Sequence, residues 1–226
     1  MTTGLDLGAG MRAATPIAIA YLPVAFALGA ASSHLGFSVV ESALWSAMMF
    51  SGANQALLLS GLASEASLVI LVLLAIATSL RHVLYGAALV GRLDASFAGR
   101  AAYAYGLTDE VFATTLAARE AHHRTLPSQW LVGLAVSALG VWVLGTALGS
   151  AVGDILHVRA PGVSTALNFA LPALFVGLVW STARRSLLGQ MLLSGAISAC
   201  VIFLGFPELA IPAGALPAFI PGWKTE

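Results

Sequence analysis

One apolar run, residues 67–90, would form a helix of about 36 Å, enough to cross the roughly 30 Å of bilayer hydrocarbon. Within it Arg81 and His82 are adjacent, and every other residue lacks an acidic or basic side chain. An ionisable group at mid-membrane costs about 2.5–3.5 kcal/mol on insertion scales, so this pair indicates a functional site. The alternative is a helix that ends near Leu80, with both side chains reaching the lipid headgroups.

Similar apolar runs recur along the chain, separated by short polar or charged connections. Most approach the roughly 20 residues that a spanning helix needs. The pattern predicts an all-α polytopic membrane protein with seven or eight transmembrane segments, Pro- or Gly-broken helices, and one transmembrane domain over residues 1–226. The predicted spans are 11–31, 39–59, 67–90, 101–118, 129–148, 163–181, 187–203 and 209–220, the last being a short span or a re-entrant segment.

Polar interruptions fall within two of these predicted spans. Residues 50–55 place the amides of Asn54 and Gln55 beside a glycine, which predicts a discontinuous helix whose backbone groups face a substrate. The alternative is that both amides bond to a neighbouring helix and only stabilise packing. Asn168 and Pro172 interrupt residues 163–181 in a similar way. Interruptions in both halves are the pattern expected of inverted repeats.

Residues 107–113 contain two adjacent carboxylates, Asp109 and Glu110. Thr108 is suited to cap a helix that begins at Asp109, and the helix dipole favours acidic residues in that first turn. One carboxylate could also neutralise Arg81 or carry a transported proton. Later in the chain, glycines at positions 145, 149 and 153 predict a close-packing face for a helix of this chain or of another subunit.

The composition excludes a water-soluble protein. The 226 residues are 59% hydrophobic and 9% charged, with a mean hydropathy of +0.92, whereas globular domains average about 25% charged residues. Zero net charge and scattered basic residues argue against a nucleic-acid partner. The single Cys200 excludes an intramolecular disulfide, and neither a nucleotide motif nor metal-ligand spacing is present, so no cofactor or metal is expected.

Four motifs occur in order: Phe-Ser-Gly-Ala-Asn-Gln (50–55), Ser-Leu-Arg-His-Val-Leu-Tyr-Gly (79–86), Leu-Thr-Asp-Glu-Val-Phe-Ala (107–113) and Ala-Leu-Pro-Ala-Leu-Phe (170–175). Together they resemble the AzlC family, the large subunit of branched-chain amino-acid exporters linked to azaleucine resistance. The likeness runs from about residue 10 to residue 206. It implies a small partner subunit of the AzlD type and export of leucine, isoleucine, valine and often methionine, against protons, in the bacterial inner membrane.

An exporter of aliphatic amino acids needs an apolar pocket, a cation or helix N-terminus for the carboxylate, and acceptors for the ammonium group. The residues expected to contact substrate are Asn54, Gln55, Arg81, Tyr85 and Asn168. Those expected to carry a proton or form an ion pair are His82, Asp109, Glu110 and Arg81. At this point Arg81 either meets the substrate carboxylate or is locked to Asp109.

Three other classes of protein compete with this interpretation. A passive channel would show no dependence on a proton gradient, and a scaffolding subunit would have no need for polar side chains in several spans. An intramembrane enzyme is disfavoured because the sequence has no His-Glu-x-x-His or Gly-x-Ser-x-Gly motif. The chain is therefore not expected to be an enzyme.

Overall fold

The computed structural model describes residues 5–63, 65–89, 91, 93–123, 125–160, 162, 165–166, 176, 188–206 and 209–219. Asn168 and Pro172 lie outside the described residues, so the interruption predicted there stays a prediction. By its internal contacts the chain divides into two compact units, Met1–Leu174 and Phe175–Glu226.

The described residues are mostly helical. The helices with described bounds in the first unit are α1 (Leu7–Ala13), α2 (Thr15–His34), α3 (Val39–Met48), α4 (Gly52–Ala63), α5 (Leu68–Leu89), α6 (Phe97–Tyr105), α7 (Asp109–His122) and α8 (Ser128–Arg159). In the second unit they are α9 (Leu188–Phe203), α10 (Ala210–Ala215) and a 3-10 helix, Leu216–Phe219. A two-residue parallel bridge joins β1 (Leu93–Asp94) to β2 (Leu126–Pro127).

Three of the described helices are long and apolar enough to cross a membrane: α2, α5 and residues Ser128–Gly153 of α8. Helix α9 is apolar but shorter. The predicted class of helical membrane protein is therefore confirmed, while the count of seven or eight spans, their boundaries and the inverted repeats stay predictions. The three long helices differ in burial: 44% of the most apolar window is buried in α2 and in α8, but only 6% in α5.

Helix α8 lies at the centre of the first unit, where α1, α2, α3 and α6 all pack against it. Leu131 and Leu134 of α8 are fully buried. The glycines that predicted a close-packing face meet α2 of the same chain, a choice that the sequence left open. A Cβ at Gly149 would lie 1.9 Å from the carbonyl oxygen of Phe26, so only a glycine allows the two backbones to approach this closely.

Gly149→Ala is therefore expected to force α2 and α8 apart. Overpacking of this kind costs about 1–3 kcal/mol, and the midpoint of thermal unfolding in detergent should fall by several degrees. Gly140→Ala is the matched control, because a Cβ at Gly140 on the same helix meets no atom within 4 Å. Equal midpoints for the two variants would contradict the packing described here.

Buried hydroxyl groups fasten α3 to both α2 and α8. The oxygens of Ser32 and Ser42 are 2.7 Å apart, and Ser42 donates to Ser150 at 3.0 Å. Ser46 and Thr146 form a further pair at 2.8 Å. All five residues are buried, so each hydroxyl needs a partner inside the protein, and the bonds hold α3 against α2 and α8.

Breaks between described helices lie within the predicted spans 39–59 and 101–118. Helix α3 ends at Met48 and α4 begins at Gly52, which places a break where the polar interruption was expected. The predicted span 101–118 also contains a break, since α6 ends at Tyr105 and α7 begins at Asp109. Thr108 caps α7 by accepting from the N–H of Val111 at 3.3 Å. Backbone that leaves the helix at membrane depth is tolerated where it lines a cavity or is buried in protein.

Candidate functional site

The guanidinium of Arg81, on α5, forms an ion pair with Asp109, the first residue of α7. Arg81 Nη1 lies 3.0 Å from Asp109 Oδ2, and the two side chains are 31% and 14% exposed. Tyr85, one helical turn after Arg81, donates its hydroxyl proton to the other oxygen, Asp109 Oδ1. Phe112 stacks on the Tyr85 ring with 4.4 Å between centroids. Both oxygens of Asp109 are engaged, so the charge of Arg81 is compensated within the protein.

Asn54, in the first turn of α4, bonds to the middle of α5. Its Nδ2 donates to Ser79 Oγ at 2.8 Å, and its Oδ1 accepts from Thr78 Oγ1 at 2.5 Å. The side chain is buried, with only 6% of the residue exposed. Asn54 therefore holds α4 against α5, which is the packing role considered for this amide.

Gln55, the next residue, is more deeply buried, with 1% of the residue exposed. Its Oε1 accepts from the indole N–H of Trp142 at 3.1 Å. Because an indole nitrogen only donates, this bond fixes which end of the amide faces Trp142. Gln55 Nε2 is buried and has no hydrogen-bond partner among the described residues. A buried donor without a partner costs about 1–3 kcal/mol, so this atom marks a position for an acceptor from beyond the described residues.

Three aromatic rings connect the two helix breaks. Tyr21 on α2, Phe50 in the first break and Trp142 on α8 meet edge to face, with centroid distances of 5.0 to 6.0 Å. We call these three residues the aromatic triad. The polar atom of Trp142 bonds to Gln55 in α4, and the hydroxyl of Tyr21 bonds to Glu110 in α7. The triad therefore joins the N-terminal turns of α4 and α7.

Glu110 is held by Tyr21, a residue 89 positions earlier in the chain. The Tyr21 hydroxyl oxygen lies 2.5 Å from Glu110 Oε2 and 2.7 Å from Thr108 Oγ1, and Tyr21 is 3% exposed. A phenol has one proton and a carboxylate only accepts hydrogen bonds. The Tyr21 hydroxyl therefore donates its hydrogen bond to an ionised Glu110, and Thr108 donates to the phenol oxygen.

The structure places His82 apart from these carboxylate contacts. Its Nδ1 lies 3.0 Å from the carbonyl oxygen of Ser79 on the same helix, and its ring meets Tyr85 edge-on at 5.9 Å. Of the residues predicted from the sequence, Asn54, Gln55, Arg81, Tyr85, Asp109 and Glu110 are brought together through α4, α5 and α7, and Asn168 is not described. Within the described ranges no group of three His, Cys, Asp or Glu could hold a metal ion.

An open cavity of about 450 Å³ lies between α4 and α5. Its lining is mostly aliphatic and comprises Met49, Asn54, Leu58, Val72, Ala75, Ile76, Ser79, Leu80 and Val83. It reaches the first break at Met49, and Asn54 and Ser79 supply its polar wall. This volume is within the range of small-molecule pockets, about 300–1,000 Å³.

Sequence reasoning missed the aromatic triad. Tyr21 and Trp142 lie in apolar spans, where a single aromatic residue is ordinary. The available signal was chemical, because a tyrosine hydroxyl or indole N–H at membrane depth needs a partner. Thr108 was identified as a cap, but its contact with Tyr21 depends on the packing of α2 against α7.

These features define a helical membrane protein whose partly buried polar site is built at two helix breaks. The chain belongs to the AzlC family: the family model described as "AzlC protein" matches residues 16–156, which include every site residue described above. "Inner membrane protein YgaZ" of Escherichia coli (strain K12) is 37% identical over 220 residues, which cover 96% of this chain and 87% of that protein. An "Uncharacterized membrane protein" of Archaeoglobus fulgidus is 34% identical over 218 residues, 96% of this chain and 94% of that protein. No solved structure matches the chain significantly.

Proposed function

We propose that this chain is the large subunit of a secondary transporter that exports branched-chain amino acids, namely leucine, isoleucine, valine and methionine as a further substrate. Export is driven by protons and takes place in the bacterial inner membrane, together with a small membrane subunit of the AzlD type. The observation that carries the proposal is the partly buried polar cluster at two helix breaks beside an apolar cavity. Membership of the AzlC family supports a role in membrane transport.

The physical chemistry of the site favours transport over a scaffolding role. Polar groups within apolar helices raise the cost of membrane insertion. Their concentration at two broken helices therefore favours a site that binds a transported solute. The cavity between α4 and α5 offers aliphatic walls for a branched side chain and an amide at its edge. Arg81 is paired with Asp109, so it contributes to the site by orienting α5 against α7 rather than as a free cation.

The surroundings of Glu110 suit a group that gains and loses a proton. When Glu110 is ionised, the Tyr21 hydroxyl donates to it. When Glu110 is protonated, the acid donates to the Tyr21 oxygen, and the phenol proton turns to Thr108 Oγ1 at 2.7 Å. The buried Tyr21 hydroxyl is therefore satisfied in both states, which makes Glu110 our first choice for the proton carrier and His82 the second.

Purified protein in vesicles loaded with labelled leucine, with and without the partner subunit, tests this function. An imposed pH gradient is expected to drive leucine against its own concentration gradient. Leucine flux that only equilibrates, whatever the pH gradient, would instead identify a passive channel. An absence of flux in the presence of both subunits would contradict the proposed substrate class.

A further inference from the structure

Helix α4 begins at Gly52, directly after the break and next to the aromatic triad. The first N–H groups of a helix have no carbonyl partner within it, and the helix dipole adds partial positive charge at that end. In this turn the Ser51 hydroxyl lies 3.5 Å from the Asn54 N–H, a long contact. A helix N-terminus alone does not identify a ligand-binding site. A buried side chain in the same turn gives a second, independent indication of one.

That side chain is Gln55, whose Nε2 is buried without a partner among the described residues. Its orientation is fixed, because Oε1 must face the indole donor of Trp142. The Trp142 ring packs against Phe50, which lies within the break, so the amide of Gln55 is close to the start of α4. Helical side chains also lean toward the N-terminus of their helix, which is the end that carries the first backbone N–H groups.

Asn54 is already engaged, because it bonds to α5 through both ends of its amide. Arg81 Nη1 is paired with Asp109 at 3.0 Å and Arg81 Nε is buried without a partner among the described residues, but Arg81 lies on α5 and not at the start of α4. Donors grouped at a helix start are suited to an anion, and a carboxylate is the anion of an amino acid. The apolar cavity begins at Met49, beside this turn, and could receive the aliphatic side chain of the same ligand.

We infer that Gln55 Nε2 and the first turn of α4 bind the carboxylate group of the transported amino acid. This inference rests on the proposed function, since it names the part of the site that recognises one end of the substrate.

Gln55→Glu tests the inference, because it keeps an acceptor for Trp142 and the size of the side chain but replaces the free donor with a negative oxygen. Binding is measured on the full-length protein in lipid nanodiscs with two probes, leucine and leucinamide, which lacks the carboxylate. We expect the dissociation constant for leucine to rise about 10- to 100-fold. That for leucinamide should change less than about threefold, since a neutral amide can donate to the new carboxylate.

Gln129→Glu, the same substitution at the start of α8, is the matched control and should leave both constants unchanged. Leucine binding that Gln55→Glu does not weaken would overturn the subsite and leave the transport function standing. Equal weakening of both probes would also overturn it, because a general defect would then explain the loss. If the unmodified protein binds no leucine, both the subsite and the proposed substrate class are wrong.

Discussion

Asp109→Asn is expected to reduce leucine export at least tenfold and to lower stability. The substitution leaves the guanidinium of Arg81 without its counter-ion while the side chain is only 31% exposed. Removing one partner of a fully buried pair costs about 3–5 kcal/mol, and the partial exposure here reduces the expected loss to about 1–3 kcal/mol. Initial rates of labelled-leucine efflux and the midpoint of thermal unfolding measure the two effects.

The double variant Arg81→Gln/Asp109→Asn separates charge from stability. It removes both charges and keeps groups that can hydrogen-bond, so its thermal midpoint should lie above that of Asp109→Asn. Arg100→Gln, at an exposed position of α6, is the control for loss of one positive charge. If Asp109→Asn exports leucine and unfolds like the unmodified protein, the ion pair has no role in transport.

Glu110→Gln is expected to uncouple leucine from protons without stopping exchange. The amide keeps an acceptor for the Tyr21 hydroxyl at nearly the same position, so the contact at 2.5 Å should persist. The side chain can no longer load or release a proton. Leucine driven by a pH gradient should fall to the level seen without a gradient, whereas leucine–leucine exchange should stay within a few-fold of normal.

Glu120→Gln supplies the control for this uncoupling, because Glu120 is an exposed carboxylate of the same helix. Tyr21→Phe should slow gradient-driven and exchange transport alike, since it removes the hydroxyl that satisfies Glu110 in either protonation state. Full proton coupling in Glu110→Gln would move the carrier elsewhere, and His82 would be examined next.

The class of the protein follows from the sequence because a helix that crosses a bilayer must be long and apolar. Roughly 20 apolar residues in succession have few other uses, so α2, α5 and α8 lie in runs that the sequence predicts as spans. Close approach of another helix to α8 was also predictable, because glycines four residues apart lie on one face of a helix. The helix that packs on that face was not predictable, because the glycines themselves do not indicate which helix is their partner.

The candidate site was predictable by its polar members and by one connection, the pairing of Arg81 with a neighbouring carboxylate, but not by the other connections. Asn54, Gln55, Arg81 and Asp109 are conspicuous because polar groups are costly in an apolar span. The bonds that define their roles join distant residues: Trp142 and Gln55 are 87 positions apart, and so are Tyr21 and Thr108. Such contacts depend on how α2, α4, α7 and α8 pack, which the local pattern of a single sequence does not encode.

The break between α6 and α7 was not predicted from the sequence. Thr108 was identified as a helix cap, yet residues 101–118 were predicted as one span. Residues 101–118 are short and half polar, and the break is visible only if the cap is taken to end the preceding helix as well as to begin the next.

The low burial of α5 has a consequence for how freely its sequence can vary. Its exposed aliphatic side chains outside the cavity wall include Leu68, Val69, Leu73 and Leu84. Where such positions meet lipid, apolar side chains of many shapes are equally well accommodated. Tolerance to substitution should therefore change sharply around this one helix, which has a permissive face, a face that lines the cavity, and a restrictive row through Thr78, Arg81 and Tyr85.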